Sequence, residues 1–194
     1  LGAVLTISAA AVAQPYSIEW QTQLGTPFTE SGNGVATDPT GNVFITGETY
    51  GTLPGNARIG QTDAYLRKYS STGVELWTRQ VGTTGVDVSN AVAVDSLGNA
   101  FISGGTTGDL LFGGVANSDA FLTRIDSAGN TLWSRQIGLR GNDVSNAVAV
   151  DWAGNVLISG YSEADDYQAL PNTRDSFVAK FDSAGNLLWN KNFG

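Results

Sequence analysis

The chain has no cysteine, no histidine and no methionine. Without cysteine there are no disulfides and no thiolate ligands. Without histidine there is no imidazole metal site and no triad built on a histidine base. Charge is sparse as well: 14% of residues, with 10 Lys and Arg against 18 Asp and Glu, for a net charge of −8. The basic residues are scattered from Arg58 to Lys191 without a cluster. The electrostatic footprint of a nucleic-acid binder is therefore missing, as is a patch that would draw the chain to anionic lipid. Proline is scarce at 5 residues, whereas glycine is abundant at 25. With 41% hydrophobic residues, this is the composition of an all-β chain with many tight turns and enough apolar mass for a core.

A reading frame opens on Met, so residues are expected ahead of Leu1, the alternative being that Leu1 is itself a start residue. Residues 1–13, LGAVLTISAAAVA, are uncharged and end in Ala11-Val12-Ala13 before Gln14 and Pro15. This is the apolar region and A-x-A cleavage pattern of a secretory signal without its charged start. A partial signal over 1–13 and a domain over 14–194 follow, with export from a bacterial-type cell, in the medium or on its surface, as the expected location. The segment is too short to span a bilayer, and no other stretch approaches that length.

Internal repetition decides the organisation. Trp20, Trp77, Trp133 and Trp189 stand 57, 56 and 56 residues apart. Gly25, Gly82, Gly138 and Gly194 follow at the same spacing, as do Gly47, Gly104 and Gly160, and Asp63, Asp119 and Asp175. Asp38, Asp95 and Asp151 each precede a Gly-Asn pair, at Gly41, Gly98 and Gly154. Residues 77–132 and 133–188 are identical at 28 of 56 positions. The repeats are 20–76, 77–132 and 133–188, with the start of a fourth at 189–194. The one extra residue of the first falls between Gly47 and Asp63.

Each unit carries four strand signals. In the second they are Asn90–Asp95, Asn99–Thr106, Asp119–Asp126 and Asn130–Gly138. The D-S-L-G-N and D-S-A-G-N connections read as hairpin turns, with Asp accepting backbone N–H bonds and Gly supplying positive φ. The structural turn residues are thus Asp38, Asp95, Asp151, Gly41, Gly98, Gly154, Asp126 and Asp182. The first strand, Ala91–Val94 and again Ala147–Val150, is apolar on both sides and reads as buried on both faces. Identical four-stranded antiparallel units that stack face to face are propeller blades. The fold is all-β: three blades of about 56 residues each, a partial propeller. The chain opens on a strand of the fourth type, Ser17–Gly25, and ends on another. Three blades leave apolar faces open, so the remaining blades of the same protein, or further copies of it, are expected to complete the ring.

The run W-x-R-Q-[VI]-G, then D-V-S-N-A-V-A-V-D-x-x-G-N, [FL]-I-S-G, D-[AS]-F-[LV] and D-S-A-G-N-x-L-W resembles the bacterial β-propeller repeat SBBP. It is carried by Trp77–Gly82, Asp87–Asn99, Phe101–Gly104, Asp119–Leu122 and Asp126–Trp133, with equivalents in the other units. The resemblance implies secreted or cell-surface proteins, a propeller of about seven blades, and no established catalytic residues. The first unit departs from it at Gln21–Leu24, and Glu30 stands in place of Asp87 and Asp143.

Three groups are candidate sites. The repeated tryptophans read as packing between blades. Trp152 differs: it occupies the tip of the D-W-A-G-N turn where the other units have Pro39 and Ser96, and is a candidate contact for a sugar or protein. Glu30, Asp87 and Asp143 each precede a first strand, beside Asn33, Asn90 and Asn146. Equivalent loops converge at a channel mouth, where such a ring could hold Ca²⁺ through oxygen ligands. The competing reading is that each acid caps its own loop. No other cofactor is implied. The expected function is a non-catalytic, exported scaffold for protein or glycan, with variable loops 105–118 and 161–174 as its binding surface. The alternative is a carbohydrate-active enzyme using the channel-mouth carboxylates. An acid pair needs two different environments, and the only cluster of acids particular to one unit is Glu163, Asp165 and Asp166.

Overall fold

A computed structural model describes residues 18–109, 118–138, 141–163 and 174–194. Three antiparallel sheets of four strands follow one another, and no helix occurs among the described residues. The first sheet is β1 (Glu30–Thr37), β2 (Val43–Thr49), β3 (Asp63–Tyr69) and β4 (Glu75–Val81). The second is β5 (Asp87–Val94), β6 (Ala100–Thr106), β7 (Asp119–Ile125) and β8 (Thr131–Ile137). The third is β9 (Asp143–Val150), β10 (Val156–Glu163), β11 (Arg174–Phe181) and β12 (Leu187–Phe193). Each sheet keeps its strands in chain order, as a propeller blade does. The first strands β1, β5 and β9 lie side by side.

The turn chemistry is the same in all three blades. Asp38 Oδ1 accepts the amides of Thr40 and Asn42 at 3.0 Å, and Oδ2 accepts Asn42 Nδ2 at 2.8 Å. Gly41 closes the turn onto the Asp38 carbonyl with φ of 82°. Asp95, Asp126, Asp151 and Asp182 repeat the pattern, with Gly98, Gly129, Gly154 and Gly185 at positive φ. Each of these five carboxylates accepts amides of its own turn.

The core lies between blades. Phe44 and Leu66 of the first blade meet Val92, Ile102, Phe121 and Ile125 of the second. Phe101 and Leu122 of the second meet Val156, Ile158, Phe177 and Phe181 of the third. Adjacent residues of β6, Phe101 and Ile102, thus enter different cores, because side chains alternate across a strand. This corrects one expectation. The strands with every residue buried are β3 and β6, and not the first strand of the unit. The first strand is the inner edge of its blade: β5 is only partly buried, and Val35 of β1 is 68% exposed.

Hydrogen bonds join the blades with the period of the repeat. Trp77 Nε1 donates to the Ser127 carbonyl at 3.1 Å, and Trp133 Nε1 to that of Ser183 at 3.2 Å. Arg79 and Arg135 donate through Nε to the carbonyls of Gly129 and Gly185. Trp77 also meets Phe44 edge-on at 6.0 Å. Trp77 and Trp133 therefore pack between blades, as read from the repeat.

The segment expected as a strand over Ser17–Gly25 forms none over its described part, 18–25. A fourth strand pairs with the third strand of its own blade, and the described residues include no such strand for this segment. Trp20 nevertheless docks like its counterparts, 5.8 Å from Tyr69 and over Gly73. Residues 1–13 lie outside the described residues.

Candidate functional site

Glu30, Asp87 and Asp143 open β1, β5 and β9. Glu30 accepts the Thr26 amide at 3.0 Å, the Thr26 hydroxyl, and the Thr49 hydroxyl at 3.1 Å. Asp87 accepts the Thr83 amide at 2.7 Å and its hydroxyl at 3.0 Å. Both acids turn back onto the loop that precedes them. Asp143 is 1% exposed, and its amide donates to the Ser118 carbonyl of the second blade at 2.7 Å. Among the described residues, no three acidic side chains converge as a metal site.

The asparagines have a different task. Each is the extra residue of a β-bulge, since register shifts between Gly32 and Gly34, between Ser89 and Ala91, and between Ala147 and Ser145 opposite Ser159 and Gly160. A bulge leaves one residue unpaired and re-aims its side chain. Asn33 Nδ2 reaches the Ser89 carbonyl at 3.1 Å, and Asn90 Nδ2 the Ser145 carbonyl at 2.9 Å, each in the next blade. Asn146, at the end of the described stack, is exposed and has no such partner among the described residues. One reading of the sequence offered these amides to a cation. The structure places two of them on a neighbouring backbone.

A second arrangement escaped the sequence reading. Asp63 and Asp87, from adjacent blades, both crowd Gly82: a Cβ there would lie 2.6 Å from Asp87 and 3.0 Å from Asp63. The same residue in the next unit, Gly138, sits against Asp119. Burial pushes the Asp87 carboxyl up, against the bonds from Thr106 and Thr83, and Asp63 adds to the rise. Burial likewise raises Asp119, opposed by Gln136 and reinforced by Asp143 and Asp109. The turn acids go the other way. For Asp38, burial is outweighed by the Thr40 and Asn42 bonds, leaving it lowered to about 2. Asp151 is held low by Lys180 and Asn155.

These shifts give a pH dependence with two limbs. A carboxyl raised in the folded chain binds its proton more tightly than the unfolded chain does. Asp87 and Asp119 therefore add stability as pH falls and lose it as pH rises through their folded values. The turn acids contribute stability above the unfolded value near ~4, lost as pH falls through their lowered folded values. The urea midpoint should rise as pH falls from neutral towards the ordinary aspartate value near ~4 and drop below it. In Asp87→Asn the rise should shrink while the acid drop stays.

One place breaks the symmetry. A cavity of about 520 Å³ lies between the second and third blades. Its walls are the turn tips Ser96-Leu97 and Trp152-Ala153, and its floor includes Arg124, Asp95 and Asp151. Trp152 is fully exposed, as its turn-tip position suggested, and Leu97 is 77% exposed. Arg124 Nη1 donates to the Ser183 carbonyl at 2.7 Å, and Nη2 lies 3.6 Å from Asp95. Lys180 sits 2.8 Å from Asp151.

A match to the family described as SBBP, Beta-propeller repeat, covers residues 19–54, 76–112 and 132–168, more than half of the chain. The chain belongs to the SBBP β-propeller repeat family. Similar proteins include an uncharacterized WD repeat-containing protein, L264, of Acanthamoeba polyphaga mimivirus, 30% identical over 156 residues. That match covers 65% of this chain and 11% of the relative. Regulatory protein FlaEY of Caulobacter vibrioides is 27% identical over 181 residues, covering 79% of this chain and 19% of the relative. The chain thus spans a fifth or less of these relatives' length. A crystal structure of a protein of unknown function from Bacteroides caccae matches with a TM-score of 0.54 at 12% identity, over 90% of this chain and 50% of that one. That likeness concerns the fold alone.

In this SBBP chain the remaining candidate acids are only partly in view. Glu163 accepts from Arg174 Nε and Asn142 Nδ2, at 2.9 and 2.8 Å. Asp165, Asp166 and most of loops 105–118 and 161–174 lie outside the described residues. Leu97 and Arg124 were legible in principle: a large apolar residue at a turn tip, and an Arg where Lys68 and Lys180 stand. No helix among the described residues is long and apolar enough to cross a membrane.

Proposed function

We propose that this SBBP chain is a non-catalytic interaction scaffold of an exported protein, and that it engages a protein or glycan through the turn face of its blades. The observation that carries this is the pairing of exposed Trp152 and Leu97 on one groove, at positions where the other turns carry Pro39, Thr40, Ser96 and Ala153. Large exposed apolar groups are unfavourable in water, and their clustering marks a contact surface. The acids offer no comparable case for catalysis. Asp63, Asp87, Asp119 and Asp143 are each at most 3% exposed at blade junctions, where no substrate reaches them. The turn carboxylates are spent on their own backbone. The family's propeller-type relatives are consistent with a binding role.

Hydroxyl-radical footprinting of the chain, alone and with the surface fraction of the cells that produce it, tests this reading. Protection should appear at Trp152 and Leu97 and not at Trp77 or Trp133. Protection confined to other residues would refute the groove as the contact. Release of reducing ends from polysaccharide, abolished by Asp87→Asn, would refute the non-catalytic reading. Recovery of the mature protein from culture medium, starting at Gln14, is the outcome expected of export.

A further inference from the structure

Three departures from the repeat converge on the groove between the second and third blades. Position 152 is Trp where the other units have Pro39 and Ser96. Position 97 is Leu where they have Thr40 and Ala153. Position 124 is Arg where they have Lys68 and Lys180. All three line one cavity of about 520 Å³, in the size range of small-molecule clefts. In the first unit Lys68 lies 3.6 Å from Asp38, donates to the Ser127 carbonyl and sits over Phe44, and Thr40 bonds Asp38.

The charges in this groove are already matched. Asp95 Oδ1 accepts the amides of Leu97 and Asn99, and Oδ2 takes Asn99 Nδ2 and Arg124. Asp151 is filled by Ala153, Asn155 and Lys180. A carboxylate has about four lone-pair sites, so neither offers a set of open oxygens to a cation or a basic partner. Arg124 is compensated by Asp95 and by the Ser183 carbonyl, so an anion gains little there. A peptide that binds by adding a strand would want a free strand edge, and the groove is walled by turns. What remains open is an indole face, an isobutyl group and the exposed hydroxyls of Ser96 and Ser183. That combination is amphiphilic and neutral.

We infer that the groove is a binding site for a neutral saccharide. The C–H face of a pyranose ring lies on Trp152, Leu97 covers its far edge, and ring hydroxyls exchange hydrogen bonds with the hydroxyls of Ser96 and Ser183. An aromatic plate supplies apolar area at low entropy cost, and the polar groups at its foot fix orientation. The inference rests on the reading of this face as a contact surface and specifies what it takes.

The test is a calorimetric titration of the chain with neutral hexasaccharides: cellohexaose, xylohexaose, maltohexaose, mannohexaose, laminarihexaose and chitohexaose. Polygalacturonate and a proline-rich peptide are the comparison ligands. Binding of at least one neutral sugar with a Kd below about 10 mM is expected, weakened at least about tenfold in Trp152→Ala and unchanged in Trp20→Phe. Trp152 is exposed at a turn tip, so its variant should keep the wild-type unfolding midpoint, which separates lost binding from lost fold. No binding by any of the neutral sugars overturns the inference, as does binding that survives Trp152→Ala. If only the peptide or polygalacturonate binds, and Trp152→Ala abolishes it, the saccharide inference fails while the contact-surface reading stands.

Discussion

Gly104→Ala should unfold the middle blade or cost at least ~3 kcal/mol of stability, as large an effect as any single methyl added among the described residues. A Cβ at Gly104 would overlap the backbone carbonyl of Val88. That carbonyl is held by the bulge at Asn90, which pulls the first strand over the second. Neither element can yield: β6 is buried along its whole length, and β5 is tied to the next blade through Asn90. Gly47 under the Ser31 carbonyl and Gly160 under that of Val144 repeat the arrangement, which is why glycine recurs at this position. Gly105→Ala is the internal control. There the nearest atoms are the Ser118 hydroxyl at 3.3 Å and Val144 at 3.4 Å, both side chains that can give. Its cost should stay near ~1 kcal/mol. Urea unfolding of the two variants distinguishes them, and equal losses would remove the bulge–glycine contact from the account.

Asn90→Ala should cost about 1–2 kcal/mol, and Asn146→Ala less than about 0.5 kcal/mol. The two residues hold the same bulge position in neighbouring units, so propensity and the loss of one amide from the bulge cancel in the comparison. They differ in having a neighbour. Asn90 satisfies the Ser145 carbonyl of the third blade, which its removal leaves bare. Asn146 is exposed and has no such bond among the described residues. The difference between the variants therefore reads the strength of one blade-to-blade hydrogen bond. Equal costs would mean that the asparagine serves the bulge and not the stack.

Much of this architecture was legible because repetition exposes it. A 56-residue period with Asp and Gly-Asn at fixed offsets defines hairpin turns by their own chemistry, and Asp38, Asp95 and Asp151 sit where that chemistry needs them. The failures have physical causes. Strand β5 begins at Asp87, three residues ahead of the reading at Asn90, because the bulge interrupts the alternation that marks a strand. Ala91–Val94 looked doubly buried, yet apolar residues on both faces do not say which neighbours arrive, and the first strand is an edge. Residues 18–25 have a strand's sequence and no partner strand among those described, and pairing is a property of two segments. The acids Asp63 and Asp87 lie in different units and meet only once blades stack, so no local motif announces them. The candidate site was half legible. Trp152 stood out at its turn tip. Leu97 and Arg124, far from it along the chain, join it only in the groove.

The central claim is that residues common to the repeat hold the stack, and departures from it make the contact. A substitution scan through 87–99 and 143–155, read in parallel for folded fraction by urea midpoint and for binding to the neutral hexasaccharides, addresses it directly. Changes at Asn90, Asp95 and Gly98 should lower the folded fraction, with binding falling only in proportion. Changes at Leu97 and Trp152 should leave the midpoint within about 0.5 kcal/mol of wild type and weaken binding at least about tenfold. Binding that follows folded fraction at every position, with no separate loss at Leu97 or Trp152, would contradict the claim.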